Sequence, residues 1–393
     1  MQATDAGGNG QARLLARIDA PGPKRLLAID GGGIRGLIAI EVLAGIETML
    51  RARLGAGPDW VLADFFDYVG GTSTGAIIAA GLALGMPVAA LRSFYLDHGV
   101  AMFGVAGMMH RLMYRFDAAP LGAVLRDVFG AERTLGSGDL KTLLLMTMRN
   151  ASTDSPWPLS SNPRALFNDR RLADCNLDLP LWQIIRASTA APTFFPPEEV
   201  QVGPSRFVFE DGGVTPYNNP AFLLFLMATT RPYRLGWATG AERLLLVSVG
   251  TGTVPHAKAD LRPGQMNLLY NAGAVPQALM FSALNQQDLL CRAFGDCVAG
   301  PLLDSEIGDL VAPQGSGLPA LFTYARYNAE LTRAGLDGLG LSGLQETDMQ
   351  RLDSVAHMDG LMTLGRAVAA AQVRPEHFAR FIGPDAAGKV AAA

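Results

Sequence analysis

The sequence predicts an α/β protein, a three-layer α/β/α sandwich around a mainly parallel central sheet, with a mostly helical C-terminal region. Three observations point there. Short apolar runs end at glycine clusters, apolar segments of helical period follow those clusters, and the strand–turn–helix unit recurs from residue 24 to residue 255.

Residues 1–22 mix Asp5, Arg13, Arg17 and Asp19 with glycines and run into Pro21-Gly22-Pro23, so a flexible N-terminal arm is expected. They hold no apolar stretch of the kind a secretory signal needs. Arg25-Leu26-Leu27-Ala28-Ile29 reads as a buried parallel strand. Leu37, Ile40, Leu43, Ile46, Leu50 and Leu54 then follow at helical spacing, with Arg51 and Arg53 in the last turn and Gly55 as the stop. Residues 65–69 form the next expected strand, leading through Gly70-Gly71 into a helix from Thr74 to Leu84 that Gly85 and Pro87 end. Further strands are expected at 143–148, 207–209 and 244–249, and helices near 120–129, 181–190 and 219–228. Together these make one principal domain over residues 23–255. Residues 256–393 are rich in Ala, Leu and Gly and show no strong further strand; they are expected to pack on that domain or cap it.

Composition narrows the function. With 49% hydrophobic and 17% charged residues over 393 positions, a large core is readily supplied. A net charge of −4, with no basic run, excludes a general affinity for nucleic acid, which depends on clustered Lys and Arg. Three cysteines, Cys175, Cys291 and Cys297, are an odd number without metal-site spacing, and they fit buried thiols in a reducing cytoplasm. No uninterrupted apolar stretch reaches the ~18 residues of a membrane span, so any membrane contact is expected to be peripheral and transient.

Three motifs carry chemistry. Gly71-Thr72-Ser73-Thr74-Gly75 falls between an apolar strand and an apolar helix, the setting of a nucleophile elbow. Such a turn leaves no room for side chains at Gly71 and Gly75 and often strains the residue between them. The other reading of Ser73 is an ordinary helix N-cap. In Asp30-Gly31-Gly32-Gly33-Ile34-Arg35-Gly36, the N–H groups of Gly31, Gly32 and Gly33 can converge on one anionic oxygen at the positive end of a helix. Each donor of such an oxyanion hole is typically worth about 2.7–4 kcal/mol. Arg35 either adds positive charge there or braces the turn.

The third motif is Asp211-Gly212-Gly213, at the end of an apolar run. An aspartate is a weak base in water, with a pKa near about 3.9, but a dry site beside a hydroxyl raises it. Asp30 and Asp67 are lesser candidates, because each precedes the turn it would serve. Of the five histidines, His256, His357 and His377 come late enough for a Ser-Asp-His order, and none has a distinctive setting; His98 and His110 precede it. The glycine run also matches GxGxxG, the dinucleotide fingerprint. Asp30 would then set a carboxylate beside the pyrophosphate, and neither Glu47, inside a helix, nor Asp59 ends a second strand as that fold requires.

These motifs resemble the patatin-like phospholipases. Asp30 to Gly36 is similar to their oxyanion loop, Gly71 to Gly75 to their nucleophile elbow, and Asp211-Gly212-Gly213 with Asn218-Asn219-Pro220 to the stretch bearing their aspartate. Ala187-Ser188-Thr189-Ala190-Ala191-Pro192-Thr193 resembles another family segment; Ser188-Thr189 stand where other small residues are common, a departure expected not to touch the chemistry. Ser248 to Thr253 looks like the family's late strand and turn, and Tyr324-Ala325-Arg326-Tyr327-Asn328 is similar to C-terminal parts of bacterial and plant members. The resemblance covers residues 24–255. It implies a Ser73–Asp211 dyad that hydrolyses acyl esters of phospholipids or other lipids, with no catalytic histidine, metal or cofactor.

Two segments are candidates for a lid or for acyl-chain contact: Met102, Phe103, Met108 and Met109 within Val100 to Tyr114, and the stretch from Met266 to Phe281. Three alternatives stay open: a Ser-Asp-His esterase for small soluble esters, a phospholipase effector activated by a nucleotide second messenger, and a dinucleotide-binding module.

Overall fold

The computed structural model describes residues 4–103, 117–254, 262, 267–304 and 306–382. Its elements are α1 (Thr4–Asp19), β1 (Lys24–Ile29), α2 (Gly36–Leu54), α3 (Leu62–Phe65), β2 (Tyr68–Thr72), α4 (Thr74–Ala83), α5 (Val88–Phe103), α6 (Ala118–Phe129), β3 (Leu143–Asn150), β4 (Ser155–Ser160), α7 (Leu181–Ser188), β5 (Glu198–Val202), β6 (Ser205–Asp211), α8 (Ala221–Thr229), β7 (Leu244–Val249), α9 (Leu268–Phe294), β8 (Asp296–Ala299), β9 (Thr323–Tyr327), α10 (Arg333–Gly338), α11 (Glu346–Gln350) and α12 (Met358–Gln372).

The centre is a parallel sheet in the order β3-β2-β1-β7-β9-β8. β1, β3 and β7 are buried on both faces, so they read as near-continuous apolar runs rather than alternating ones. The pleat of β1 divides the core: Leu27 and Ile29 join one apolar cluster with α2, α4, α5, α6, α7 and α12, while Leu26 and Ala28 join a second with α1, α8 and α9. Helices therefore cover both faces, and the fold is the expected three-layer α/β/α.

The path of the chain around β3 positions the site. Strand β4 covers one edge of β3 from Leu145 to Asn150. Strands β2 and β6 must share the other edge, running towards each other: Thr72 lies opposite Thr147 and Asp211 opposite Met148. The residue after β2 is Ser73, so two strands of opposite direction end face to face, one carrying the serine and the other the aspartate.

The structure corrects four expectations. Residues 4–19 are a helix rather than a loose arm: Leu14 and Ile18 are buried, and Arg17 bonds Asp67 at 3.1 Å and the carbonyls of Ala63 and Phe66. Strand β2 starts at Tyr68, not residue 65, because the Asp64 carboxylate accepts the Val61 N–H (2.9 Å) and closes the turn of α3. The C-terminal region is largely helical but also adds β8 and β9 to the sheet, so the sheet does not end at residue 255. Strands β4 and β5 were not expected. The three cysteines are buried and free, as their odd number suggested.

Candidate active site

Ser73 has φ 56° and ψ −123°, a conformation that side chains disfavour, and it is partly exposed at the head of α4. The flanking glycines are required by contact. A Cβ on Gly71 would lie 2.0 Å from the Gly75 oxygen, and one on Gly75 would lie 2.3 Å from the Ile29 oxygen. The Ser73 hydroxyl does not cap its helix. It donates instead to Asp211 Oδ2 at 2.6 Å, which removes the N-cap reading.

Asp211 is 3% exposed, and its other oxygen accepts the Gly213 N–H at 2.7 Å. Burial pushes its pKa up to about 6, against the hydrogen bonds from Ser73 and Gly213 and the charge of Arg186, which all pull it down. The carboxylate is therefore a stronger base than in water, yet ionised at neutral pH. Gly212 is needed because a Cβ there would meet the Thr147 oxygen at 2.4 Å.

The glycine run abuts the serine: a Cβ on Gly31 would come within 3.2 Å of Ser73 Cβ. Its three N–H groups are not equivalent. Gly31 donates to the Asn218 oxygen at 3.0 Å, so it is removed from the expected donor set. The Gly32 and Gly33 N–H groups make no hydrogen bond within the described residues. The Gly31 oxygen accepts from Thr251 Oγ1 at 2.6 Å. Because the carbonyl and the next N–H of a trans peptide point in opposite directions, anchoring that oxygen aims the Gly32 N–H. Arg35 braces rather than faces this loop, with Nη1 3.4 Å from the Gln350 oxygen; burial pushes its pKa down to about 10 while Asp30 opposes the fall.

Several residues that the sequence did not single out support the site. Ser188 was expected to stay clear of the chemistry, yet its Oγ accepts the Ser73 N–H at 3.0 Å and donates to the Thr147 oxygen at 2.6 Å. Ser188→Ala leaves the serine's amide unpaired; we predict a kcat lowered roughly 10-fold with KM little changed, from the 1–3 kcal/mol such a loss costs. Steady-state kinetics on a chromogenic ester checks this. Thr72 Oγ1 donates to the Tyr217 oxygen at 2.6 Å, joining the end of β2 to the segment after Asp211.

The remaining candidates fall elsewhere. Asp30 pairs with Arg326, and Asp67 with Arg17. His98 packs on Phe94, His357 lies 3.6 Å from Asp348, and His377 Nδ1 bonds the Tyr327 hydroxyl at 2.9 Å; none of these three bonds Ser73 or Asp211. His110 and His256 lie outside the described residues. Met102 is 1% exposed in the main core and Phe103 packs against that core; Met108 and Met109 lie outside the described residues. Met266 does too, but α9 beyond it exposes Val275, Leu279 and Met280. The dinucleotide reading fails sterically, because the Leu352 oxygen accepts the Ile34 N–H at 3.0 Å and would lie 2.3 Å from a Cβ on Gly33, so the chain itself fills that helix entrance. Among the described residues no helix is long and apolar enough to cross a membrane, and no cluster of His, Cys, Asp and Glu could hold a metal ion.

The chain is similar to known proteins. The family model described as patatin-like phospholipase matches residues 27–225. "Patatin-like protein 1" of Arabidopsis thaliana is 29% identical over 70% of this chain and 75% of its own length. "Patatin-17" of Solanum cardiophyllum is 31% identical over 58% of this chain and 60% of its own, so the match spans about three fifths of that relative. The crystal structure of VipD from Legionella pneumophila overlays with a TM-score of 0.37 and 13% identity, over 88% of this chain and 67% of that one.

Proposed function

Because this chain belongs to the patatin-like phospholipase family, we propose that it is a lipid acyl hydrolase of the phospholipase A or lysophospholipase kind, working through a Ser73–Asp211 dyad. The observation that carries the mechanism is the 2.6 Å bond from the Ser73 hydroxyl to Asp211 Oδ2. Ser73 Oγ adds to the ester carbonyl as its proton passes to Asp211, and the new oxyanion is held by the Gly32 and Gly33 N–H groups. Collapse expels the alcohol, which takes the proton from Asp211 and leaves an acyl group on Ser73. Water then gives a proton to Asp211 and attacks the acyl carbonyl, and collapse of this second oxyanion releases the fatty acid as Asp211 returns the proton to Ser73 Oγ. The substrates are phospholipids or related acyl lipids, met at a membrane surface that the protein visits peripherally.

The pH dependence follows from the base. Asp211 must be ionised to accept a proton, so kcat/KM is expected to rise through a pH of about 6 and level off above it. An initial-rate profile on a soluble ester whose own chemistry is pH-independent tests this; a profile governed by a group near neutrality and shifted by replacing His256 would favour the Ser-Asp-His reading. The substrate class is tested by incubating mixed phospholipids with the wild type and with Ser73→Ala. Fatty acid and lysophospholipid released only by the wild type support the proposal. Hydrolysis confined to short soluble esters contradicts it.

A further inference from the structure

We infer that Arg326, on β9 and outside the family-matched segment 27–225, is a positioning residue that sets the oxyanion loop against the Ser73–Asp211 pair. The inference rests on the reading proposed above and extends it to a side chain that never touches substrate.

Arg326 is 1% exposed near the end of β9 and grips the start of the glycine run and strand β7 at once. Its Nη1 donates to Asp30 Oδ1 at 2.8 Å and its Nη2 to Asp30 Oδ2 at 2.5 Å, a fork-to-fork pair with the residue that opens the glycine run. The same Nη1 donates to Ser248 Oγ at 2.7 Å, and Ser248 Oγ donates to Asn219 Oδ1 at 3.2 Å. Asn219 follows Asn218, whose backbone oxygen accepts the Gly31 N–H. The ring is closed: guanidinium, Asp30, Gly31, the 218–219 turn, Ser248, guanidinium. One side of it leads to Gly32 and Gly33, and the other follows Asp211 by a few residues.

A second tie runs from the same strand end. Asn328 Oδ1 accepts the Gly252 N–H at 2.9 Å and so holds the turn from which Thr251 reaches the Gly31 oxygen. β9 thus fixes the Gly31 unit from both of its peptide planes. Lysine cannot replace this fork, since one ammonium cannot present paired parallel donors to both Asp30 oxygens and also reach Ser248. Stability alone is a poor explanation of a fully buried ion pair, which an apolar pair of similar volume often equals.

The test uses the full-length chain as Arg326→Lys and Ser248→Ala. The second variant removes one arm of the ring without burying an unpaired charge, so it keeps the idea testable if the first does not fold. Active sites are titrated with a fluorophosphonate, and kcat, KM and inhibition by a trifluoromethyl ketone are measured per titrated site. The expected result is a kcat per site lowered roughly 10- to 100-fold, KM little changed, and ketone affinity weakened in parallel, since misplaced donors are felt only by the oxyanion. The rise of activity through a pH of about 6 stays in place, because the base is untouched. Variants that lose thermal stability or active fraction but keep full kcat and ketone affinity per site would overturn the inference. A wild type that neither labels at Ser73 nor hydrolyses any ester would instead sink the proposed function.

Discussion

Ser73→Ala is expected to abolish ester hydrolysis and fluorophosphonate labelling, and Asp211→Asn to lower turnover at least about 10⁴-fold, with both chains still folded. Alanine removes the attacking atom. Asparagine keeps the shape and can still accept the Gly213 N–H that Asp211 accepts at 2.7 Å, but it cannot take the hydroxyl proton. Stability should move the other way from activity in Asp211→Asn. Burial holds the folded-state pKa at about 6, above the ordinary 3.8, so the folded state loses stability as the pH rises from the ordinary value through about 6, and the loss is complete above that. At about 1.4 kcal/mol per pKa unit, the penalty is on the order of 3 kcal/mol at pH 8 and disappears below about pH 4. Asp211→Asn should therefore melt at a higher temperature than the wild type at pH 8, and with no such gain in acid. Calorimetry at the two pH values reads this directly. A variant that is both inactive and less stable at pH 8 would mark Asp211 as a structural residue.

Gly75→Ala carries the second large effect. Its new methyl would sit 2.3 Å from the Ile29 oxygen and 2.7 Å from the Asp30 oxygen, both main-chain atoms at the end of β1. No side chain can rotate out of the way, so α4 must draw back from β1 and carry Ser73 away from the glycine run. We expect a loss of stability of about 1–3 kcal/mol and a fall in kcat of roughly 100-fold from displacement of the nucleophile. Gly57→Ala is the control, because a Cβ there meets nothing within 4 Å. Thermal melts and kinetics of the two variants side by side make the comparison. Equal behaviour would contradict the close-packed elbow.

The strand–turn–helix grammar made the centre of the sheet and its three glycine-rich turns legible in the sequence, because buried parallel strands are apolar runs and their turns are glycine-rich. What escaped detection was held by tertiary contacts. β9 carries Arg326 one residue before its end, which reads as a solvated position until Asp30 is placed opposite it. β8 is four residues long. β4 contains Pro156 and Pro158, which normally argue against a strand; here it pairs only with β3 among the described residues, so it lies at an edge and tolerates the lost donors. α1 contains glycines that weaken a helix in isolation, and it is fixed by Leu14, Ile18 and the bonds of Arg17.

At the site, residue types and spacing identified Ser73, Asp211 and the glycine run, but not which amides are free. That depends on Asn218 and Thr251, far away in sequence, which engage both sides of Gly31. Ser188 was missed for the same reason: a small hydroxyl in a helix end gives no signal until Ser73 is set beside it.

The most direct test is peptide mass spectrometry of protein quenched in acid during turnover of a slowly deacylated long-chain ester. An acyl mass increment is expected on the peptide containing Ser73, absent from Ser73→Ala and nearly absent from Asp211→Asn. An increment on any other residue, or undiminished hydrolysis by Ser73→Ala, would contradict it.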